Sequence, residues 1–174
     1  MRGQIHLFTL GLILALLLPA CSSNPAKGWK MGHTQSDTHS TVAVPLFRNA
    51  SYEQGLERDL GKALLSEIET TTPYKVTATA QADTMLQGTI TKVELIPLST
   101  SVTTGLSQET LYRVTIDFKW INLTTGETLA ARNRFSASAM FTASRPAQEP
   151  IELARFQVVQ QLSRDMVDAM QANW

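Results

Sequence analysis

The sequence has a single cysteine and no excess of charge of either sign, and both absences restrict what the protein can be. Cys21 is the only cysteine among 174 residues, so no disulfide can form within the chain and the fold must be stabilised by packing. Fifteen basic residues balance fifteen acidic ones, so no overall field attracts nucleic acid. The apolar run at residues 7–18 is shorter than the ~20 residues of a membrane-spanning helix.

Motifs of catalysis are also missing. The sequence has no glycine-rich phosphate loop and no nucleophile elbow. His33 and His39, with Asp37 between them, could ligate a metal ion, but they lie in a polar stretch with no rigid surroundings to orient ligands. We therefore predict a protein that is not an enzyme, with no metal and no cofactor, and with a binding or assembly role.

The N-terminal residues have the pattern of a secretory signal peptide. Arg2 precedes the apolar run, and small residues precede Cys21. The end of the run resembles a bacterial lipoprotein signal, with Leu18 three residues before the cysteine and Ala20 directly before it, although Pro19 departs from the usual residue. The alternative is an ordinary cleaved signal followed by a stray cysteine.

The lipoprotein resemblance implies an anchor and a compartment. The thiol of Cys21 would carry a diacylglycerol and its freed amine a third acyl chain, such as palmitate, and each buried CH₂ stabilises the membrane-bound state by ~0.8 kcal/mol. Ser22 stands where an aspartate would favour the inner membrane, so we expect a periplasm-facing protein of the outer membrane. We predict a signal peptide at residues 1–20, a flexible tether at 21–40 that begins with lipidated Cys21, and one domain at 41–174.

Periodicity along the domain predicts an α+β fold. Apolar residues recur at helical spacing in residues 56–69 and 151–172, and they alternate with polar residues in the strands. A change of phase predicts a β-bulge near Thr91 or Lys92. We expect a two-layer sandwich, a mostly antiparallel four- to five-stranded sheet with two helices on one face. The predicted strands are residues 41–47, 74–79, 85–98, 112–120 and 128–141.

The last two strands form a predicted hairpin with one apolar and one polar face. If the apolar faces match, Trp120 lies opposite Leu129, Phe118 opposite Ala131 and Val114 opposite Phe135. The same register places Asp117 opposite Arg132 on the polar face. Four cations would then project from the polar face: Arg113, Lys119, Arg132 and Arg134.

This polar face has two interpretations. It is a solvated surface with one ion pair, or it binds a phosphorylated ligand or an acidic partner, since arginine holds phosphate bidentately. The segment at residues 97–109 is long for a hairpin loop and has little charge, so it is a second candidate contact element.

Short motifs along the mature chain resemble the LptE family of lipopolysaccharide-assembly lipoproteins. They are TVAVPLFRN at residues 41–49, GLE at 55–57 and ADTMLQGTI at 82–90, followed by a Thr-Gly hairpin and a C-terminal amphipathic helix. The resemblance implies a two-layer sandwich that sits inside the LptD β-barrel as a plug and assembly factor and contacts lipopolysaccharide. Alternation along the strands, and not the family pattern, singles out the four cations, which we predict bind lipid A phosphates.

A second resemblance leaves an alternative open. Lipoproteins that activate peptidoglycan synthases, and curli-type secretion lipoproteins, also begin with an Ala-Val-x-x-Phe-x-Asn strand before a helix. These resemblances would imply an enzyme activator or an oligomeric pore. The purified partner distinguishes them: a large barrel, a penicillin-binding protein, or a ring of copies.

Overall fold

The structure, a computed structural model, describes residues 39–100, 102–103, 105, 107–143 and 150–172. Cys21, His33, Asp37 and the tether up to residue 38 lie outside the described residues, so the predictions about them are untested. The elements in chain order are β1 (Thr41–Ala43), β2 (Arg48–Asn49), α1 (Leu56–Thr71), β3 (Lys75–Val76), a 3₁₀ turn (Thr79–Gln81), β4 (Thr84–Thr100), β5 (Ser107–Asn122), β6 (Thr128–Thr142) and α2 (Ile151–Gln171).

The strands form one six-stranded mixed sheet. Its order is β3-β1-β4-β5-β6, and β2 also pairs with β4. The pairs that involve β1, β2 and β3 are parallel, because α1 carries the chain from β2 back to the start of the sheet. The long strands β4, β5 and β6 are antiparallel. The predicted α+β class is confirmed, and most of the pairing is antiparallel as predicted, although three short parallel pairs make the sheet mixed.

The core lies between the two helices and one face of the sheet. Alternate residues of β5 from Tyr112 to Trp120 are buried, and they join one apolar cluster with the buried stripes of α1 and α2. Tyr74 packs edge-on against Trp120, with ring centroids 5.7 Å apart. Both predicted helices are confirmed to within two residues at each end, because a long apolar stripe is a strong local signal.

The start of the sheet is shorter than predicted. β1 ends at Ala43, two residues before Pro45, and it lies between β3 and β4. The predicted strand at residues 74–79 is reduced to Lys75–Val76, because the chain turns into the 3₁₀ segment. Ser40 belongs to the domain, since its carbonyl accepts a hydrogen bond from the Lys75 N–H at 3.0 Å.

The segment at residues 97–109, predicted as a loop, is strand at both ends, because β4 runs to Thr100 and β5 begins at Ser107. Pro97 lies opposite Thr110 and Ser99 opposite Glu109, so the β4–β5 hairpin extends much further than its turn-like composition indicated. Register shifts on either side of Ser99 accommodate this irregular stretch. The bulge predicted near Thr91 is confirmed, since the register shifts between Ile90 and Lys92.

The predicted register of the β5–β6 hairpin is wrong. Trp120 lies opposite Ala130, Phe118 opposite Arg132 and Val114 opposite Ala137. Two register shifts cause the difference, one between Ile116 and Phe118 and one between Trp120 and Ile121. Alternation in a sequence cannot reveal a bulge on the partner strand, and a one-residue slip moves side chains to the other face.

Candidate functional site on the open face of the sheet

A groove of about 540 Å³ crosses the face of the sheet that the helices leave open. Its floor is formed by neighbouring strands, with Gln87 opposite Lys119 and Thr89 opposite Asp117. Its wall is the chain between β1 and β2. The lining residues are Pro45, Leu46, Arg48, Gln87, Gly88, Thr89, Asp117, Phe118, Lys119, Ala131 and Asn133.

The wall is held in place by Phe47 and Gly88. Phe47 is 2% exposed and belongs to the core cluster. A Cβ atom on Gly88 would lie 2.5 Å from Phe47 Cε1 and 2.5 Å from the carbonyl oxygen of Asp117. Only glycine therefore leaves room for the aromatic ring at this crossing. The ring fixes the segment that carries Arg48 into β2, where Arg48 lies opposite Thr89.

The groove combines two cations with one carboxylate. Arg48 and Lys119 line it together with Asp117. The Asp117 carboxylate accepts a hydrogen bond from the Arg134 backbone N–H at 2.7 Å, so part of its accepting capacity is already used. The side-chain amides of Gln87 and Asn133 add further donors. This set can hold a phosphate or another anionic group through charge-assisted hydrogen bonds.

The structure does not bring the four sequence-predicted cations onto one face. Lys119 lines the groove, and Arg113 lies on the same face opposite Glu94. Glu94 also forms an ion pair with Lys92 at 2.7 Å, so Arg113 has an acidic neighbour. Arg132 lies opposite Phe118, so the register places it on the helix side of the sheet.

Arg134 occupies a bulge. Asn133 and Arg134 together oppose Asp117, and Arg134 has a φ of 54°, in the left-handed region. A side chain there costs ~1–2 kcal/mol, and the hydrogen bond to Asp117 offsets part of that cost. The register shift nearer the turn, between Trp120 and Ile121, had already moved Arg132 from Asp117 to Phe118, and the two shifts together separate the predicted strip.

Sequence reasoning missed Arg48 because its position depends on a two-residue parallel pairing between β2 and β4. Local periodicity carries no trace of such a short pairing. One signal was available: Arg48 is the single charged residue between residues 41 and 52.

Asp83 clamps the start of the domain to β4. Its Oδ2 accepts hydrogen bonds from the backbone N–H groups of Ser40 and Thr41, both at 3.0 Å, and from the hydroxyls of the same residues. The backbone of Ser40, followed by the side chain and backbone of Thr41, lowers the pKa of Asp83 to about 2. The buried Thr84 hydroxyl donates to the Thr41 carbonyl at 2.9 Å. The ADT motif at residues 82–84 is thus a structural clamp.

Asn49 and Arg155 fix the start of α1 against α2. Asn49 Nδ2 donates to the Glu53 carbonyl and to Glu57 Oε2, and this side-chain hydrogen bond lowers the pKa of Glu57. Arg155 of α2 reaches Glu53 at 3.1 Å and Asp59 at 2.7 Å. Burial raises the pKa of the nearby Tyr112 hydroxyl to about 12. These contacts hold the loop that follows β2, and with it Arg48.

The described part of the chain offers no cluster of three or more metal-ligating side chains. Within the same described residues, neither helix is both long and apolar enough to cross a membrane.

Solved structures share the fold. The chain is similar to a minor lipoprotein from Acinetobacter baumannii, with 14% identity over 78% of this chain and 94% of that chain and a TM-score of 0.52. It is also similar to a DUF330 protein from Xanthomonas campestris, with 10% identity over 78% of this chain and 85% of that chain and a TM-score of 0.56. At such identities the likeness concerns the fold alone.

The family comparison goes further than the structural one. No curated protein matches the chain. The family model described as "LptE: Lipopolysaccharide-assembly" matches residues 40–170, which span the sheet, both helices and the groove. The chain therefore belongs to the LptE family of lipopolysaccharide-assembly proteins.

Proposed function

We propose that this LptE-family protein is an outer-membrane lipoprotein that assembles with an LptD-type β-barrel, plugs it, and takes part in inserting lipopolysaccharide into the outer leaflet. Family membership supports the coarser part of this proposal, a membrane-associated lipoprotein of lipopolysaccharide assembly with no enzymatic role. In the finer part, residues 1–20 are a signal peptide, Cys21 carries the lipid, and residues 21–40 tether the domain at 41–174.

The observation that carries the lipopolysaccharide contact is the groove on the open face. Arg48 on β2 and Lys119 on β5, two strands that both pair with β4, line the groove next to the side-chain amides of Gln87 and Asn133. Its volume, about 540 Å³, is in the range of pockets that hold small ligands. A lipid A phosphate has the charge and the acceptor oxygens that this donor set complements.

Fold stability gives no reason for cations at these positions. An exposed ion pair contributes only ~0–1 kcal/mol, and Lys119 lies opposite Gln87 and Ala131, which are neutral. We propose that Arg48 and Lys119 contact phosphate directly and that Arg113 adds a weaker attraction because Glu94 lies opposite it. Arg132 and Arg134 are on the edge strand, and neither lines the groove.

The test replaces Arg48 and Lys119 together by glutamate and measures binding of purified lipopolysaccharide. We expect the affinity to fall by about tenfold or more at low salt, and the difference to shrink as salt rises, because exposed charges are screened beyond roughly 8–10 Å. Arg132→Glu together with Arg134→Glu is the matched control, since this pair also reverses two cations and neither residue lines the groove. Equal losses in the control and in the variant of Arg48 and Lys119 would remove the groove from the proposal.

The anchor and the partner are tested separately. Mass spectrometry of the mature N-terminus should find a lipid-modified Cys21, and a free thiol or a different N-terminus would contradict the anchor. A mild-detergent pull-down from outer membranes should recover a one-to-one complex with a large barrel. Recovery of a penicillin-binding protein or a homo-oligomeric ring would favour the other lipoprotein classes.

A further inference from the structure

The edge strand β6 is protected along only half of its length. β6 is the last strand of the sheet and pairs with β5. Residues 128–134 contain the bulge, Arg132 and Arg134, which are features that prevent pairing with another strand. Residues 135–142 have an unbroken register with β5 and no charged side chain. This second half has the geometry and composition of a strand that can accept another.

A groove of about 590 Å³ runs beside this unprotected half, between β6 and α2. Phe156, 61% exposed, contributes an aromatic ring that the core does not cover. An edge strand beside a helix is a recurrent arrangement for binding extended peptides, in which the strand supplies backbone hydrogen bonds and the pocket selects side chains. The lining residues are Ser138, Ala139, Phe156, Gln157, Gln160, Gln161 and Arg164.

The charges around this groove favour an acidic occupant. β6 contains Arg132 and Arg134 and no acidic residue. Arg164 lines the groove itself. Its lining contains no carboxylate, and Asp165, the next residue along α2, accepts a hydrogen bond from Gln161 Nε2 at 2.6 Å. A segment with an apolar side chain against Phe156 and an acidic one toward Arg164 would fit.

We infer that residues 135–142 of β6, with the groove under Phe156, bind an extended segment of the barrel partner as an added strand. This inference rests on the proposed function, which supplies the partner. Strands in a closed barrel already have both edges paired, so the segment must come from a loop or a terminal region of that partner. The contact would fix the orientation of the domain and leave the open-face groove free for lipopolysaccharide.

The experiment measures amide hydrogen exchange of the full chain, alone and in its detergent-purified complex with the barrel partner. About half of the amides in residues 135–142 should exchange at least about tenfold more slowly in the complex, because alternate N–H groups of an edge strand point outward. Residues 128–134 should change less, since the bulge and the two arginines oppose pairing there.

A pair of variants connects the protection to the groove. Phe156→Ala removes the aromatic anchor, whereas Leu153→Ala truncates another exposed residue of the same helix that does not line the groove. Both are exposed enough for the fold to tolerate them. Protection of residues 135–142 should fall in the Phe156 variant and persist in the Leu153 variant.

The outcomes separate this inference from the proposed function. A complex without protection of residues 135–142, or with equal protection in both variants, would overturn the inference and leave the function standing. Failure of the parent chain to form any complex with the barrel would overturn the function. Protection that grows with the concentration of the chain alone would identify a second copy as the occupant, and would also overturn the inference.

Discussion

Replacing Gly88 by alanine should distort the junction that supports the open-face groove. The added Cβ would meet three atoms: the Asp117 carbonyl oxygen at 2.5 Å, Phe47 Cε1 at 2.5 Å and Phe118 Cβ at 3.0 Å. Favourable carbon contacts lie at about 3.5–4.0 Å, so the two nearest atoms would each have to move by about 1 Å. The carbonyl belongs to the ladder of β5, and the Phe47 ring is buried, so neither atom can move freely.

The magnitude follows from that overlap. Overpacking of a well-filled interior costs ~1–3 kcal/mol, which exceeds the ~0.5–1 kcal/mol that alanine gains over glycine in a strand. Gly61, in α1, is the matched control, because a Cβ there meets nothing within 4 Å. Gly61→Ala should stabilise the domain by ~0.5–1 kcal/mol through helix propensity. One added methyl group should thus have opposite effects at the two positions.

Urea unfolding of the soluble chain without residues 1–21, followed by circular dichroism, measures both variants. The Gly88 variant should unfold at a lower midpoint than the parent, and the Gly61 variant at a higher one, with unchanged slopes. The Gly88 variant should also bind lipopolysaccharide more weakly, since Phe47 holds the segment that carries Arg48. A Gly88 variant as stable as the parent would refute the packing argument.

Asp83→Asn should lower the melting temperature at neutral pH. Because the folded-state pKa of Asp83 is depressed to about 2, its contribution to stability is present above pH ~4 and lost as the pH falls through about 2. The difference in melting temperature between variant and parent should therefore close in acid, and a difference that persists at pH 2 would contradict the clamp. Arg155→Ala should destabilise the domain by ~1–3 kcal/mol in urea titrations. Arg155→Lys should be more stable than the alanine variant but less stable than the parent, because an ammonium lacks the forked guanidinium that reaches Glu53 and Asp59 together. A lysine variant as stable as the parent would contradict this. Deleting residues 30–38 should shift the melting temperature by no more than a degree or two, and a larger drop would mean that this segment packs on the core.

Local patterns in the sequence carried most of the architecture. α1 and α2 were predicted because their apolar stripes recur over several turns, and β5 because its alternation is long and regular. The bulge near Thr91 was visible because the alternation of a single strand changes phase there. In each case the information lies within one element, so no knowledge of its neighbours is needed.

Pairings between distant segments decided what the periodicity left open. The contact between β2 and β4 brings Arg48 into the same groove as Lys119. The hydrogen bonds of Asp83 connect it to Thr41, which is 42 positions earlier in the chain. Both depend on a few backbone hydrogen bonds between segments that no local pattern connects. The pairing beyond Pro97 also depends on a partner strand. The composition of this stretch therefore predicted a loop, although its residues pair in the hairpin.

The sequence by itself determined the fold class, the two helices, the buried face of β5 and the motifs of the LptE family, because these depend on spacing along the chain. The tertiary structure alone decided which cations lie on the same face. One extra residue between Thr128 and Ala130 puts Arg132 on the helix side, whereas Lys119 lines the open-face groove with Arg48. The side-chain period of a strand is two residues, so a single inserted residue reverses the faces on which the site depends.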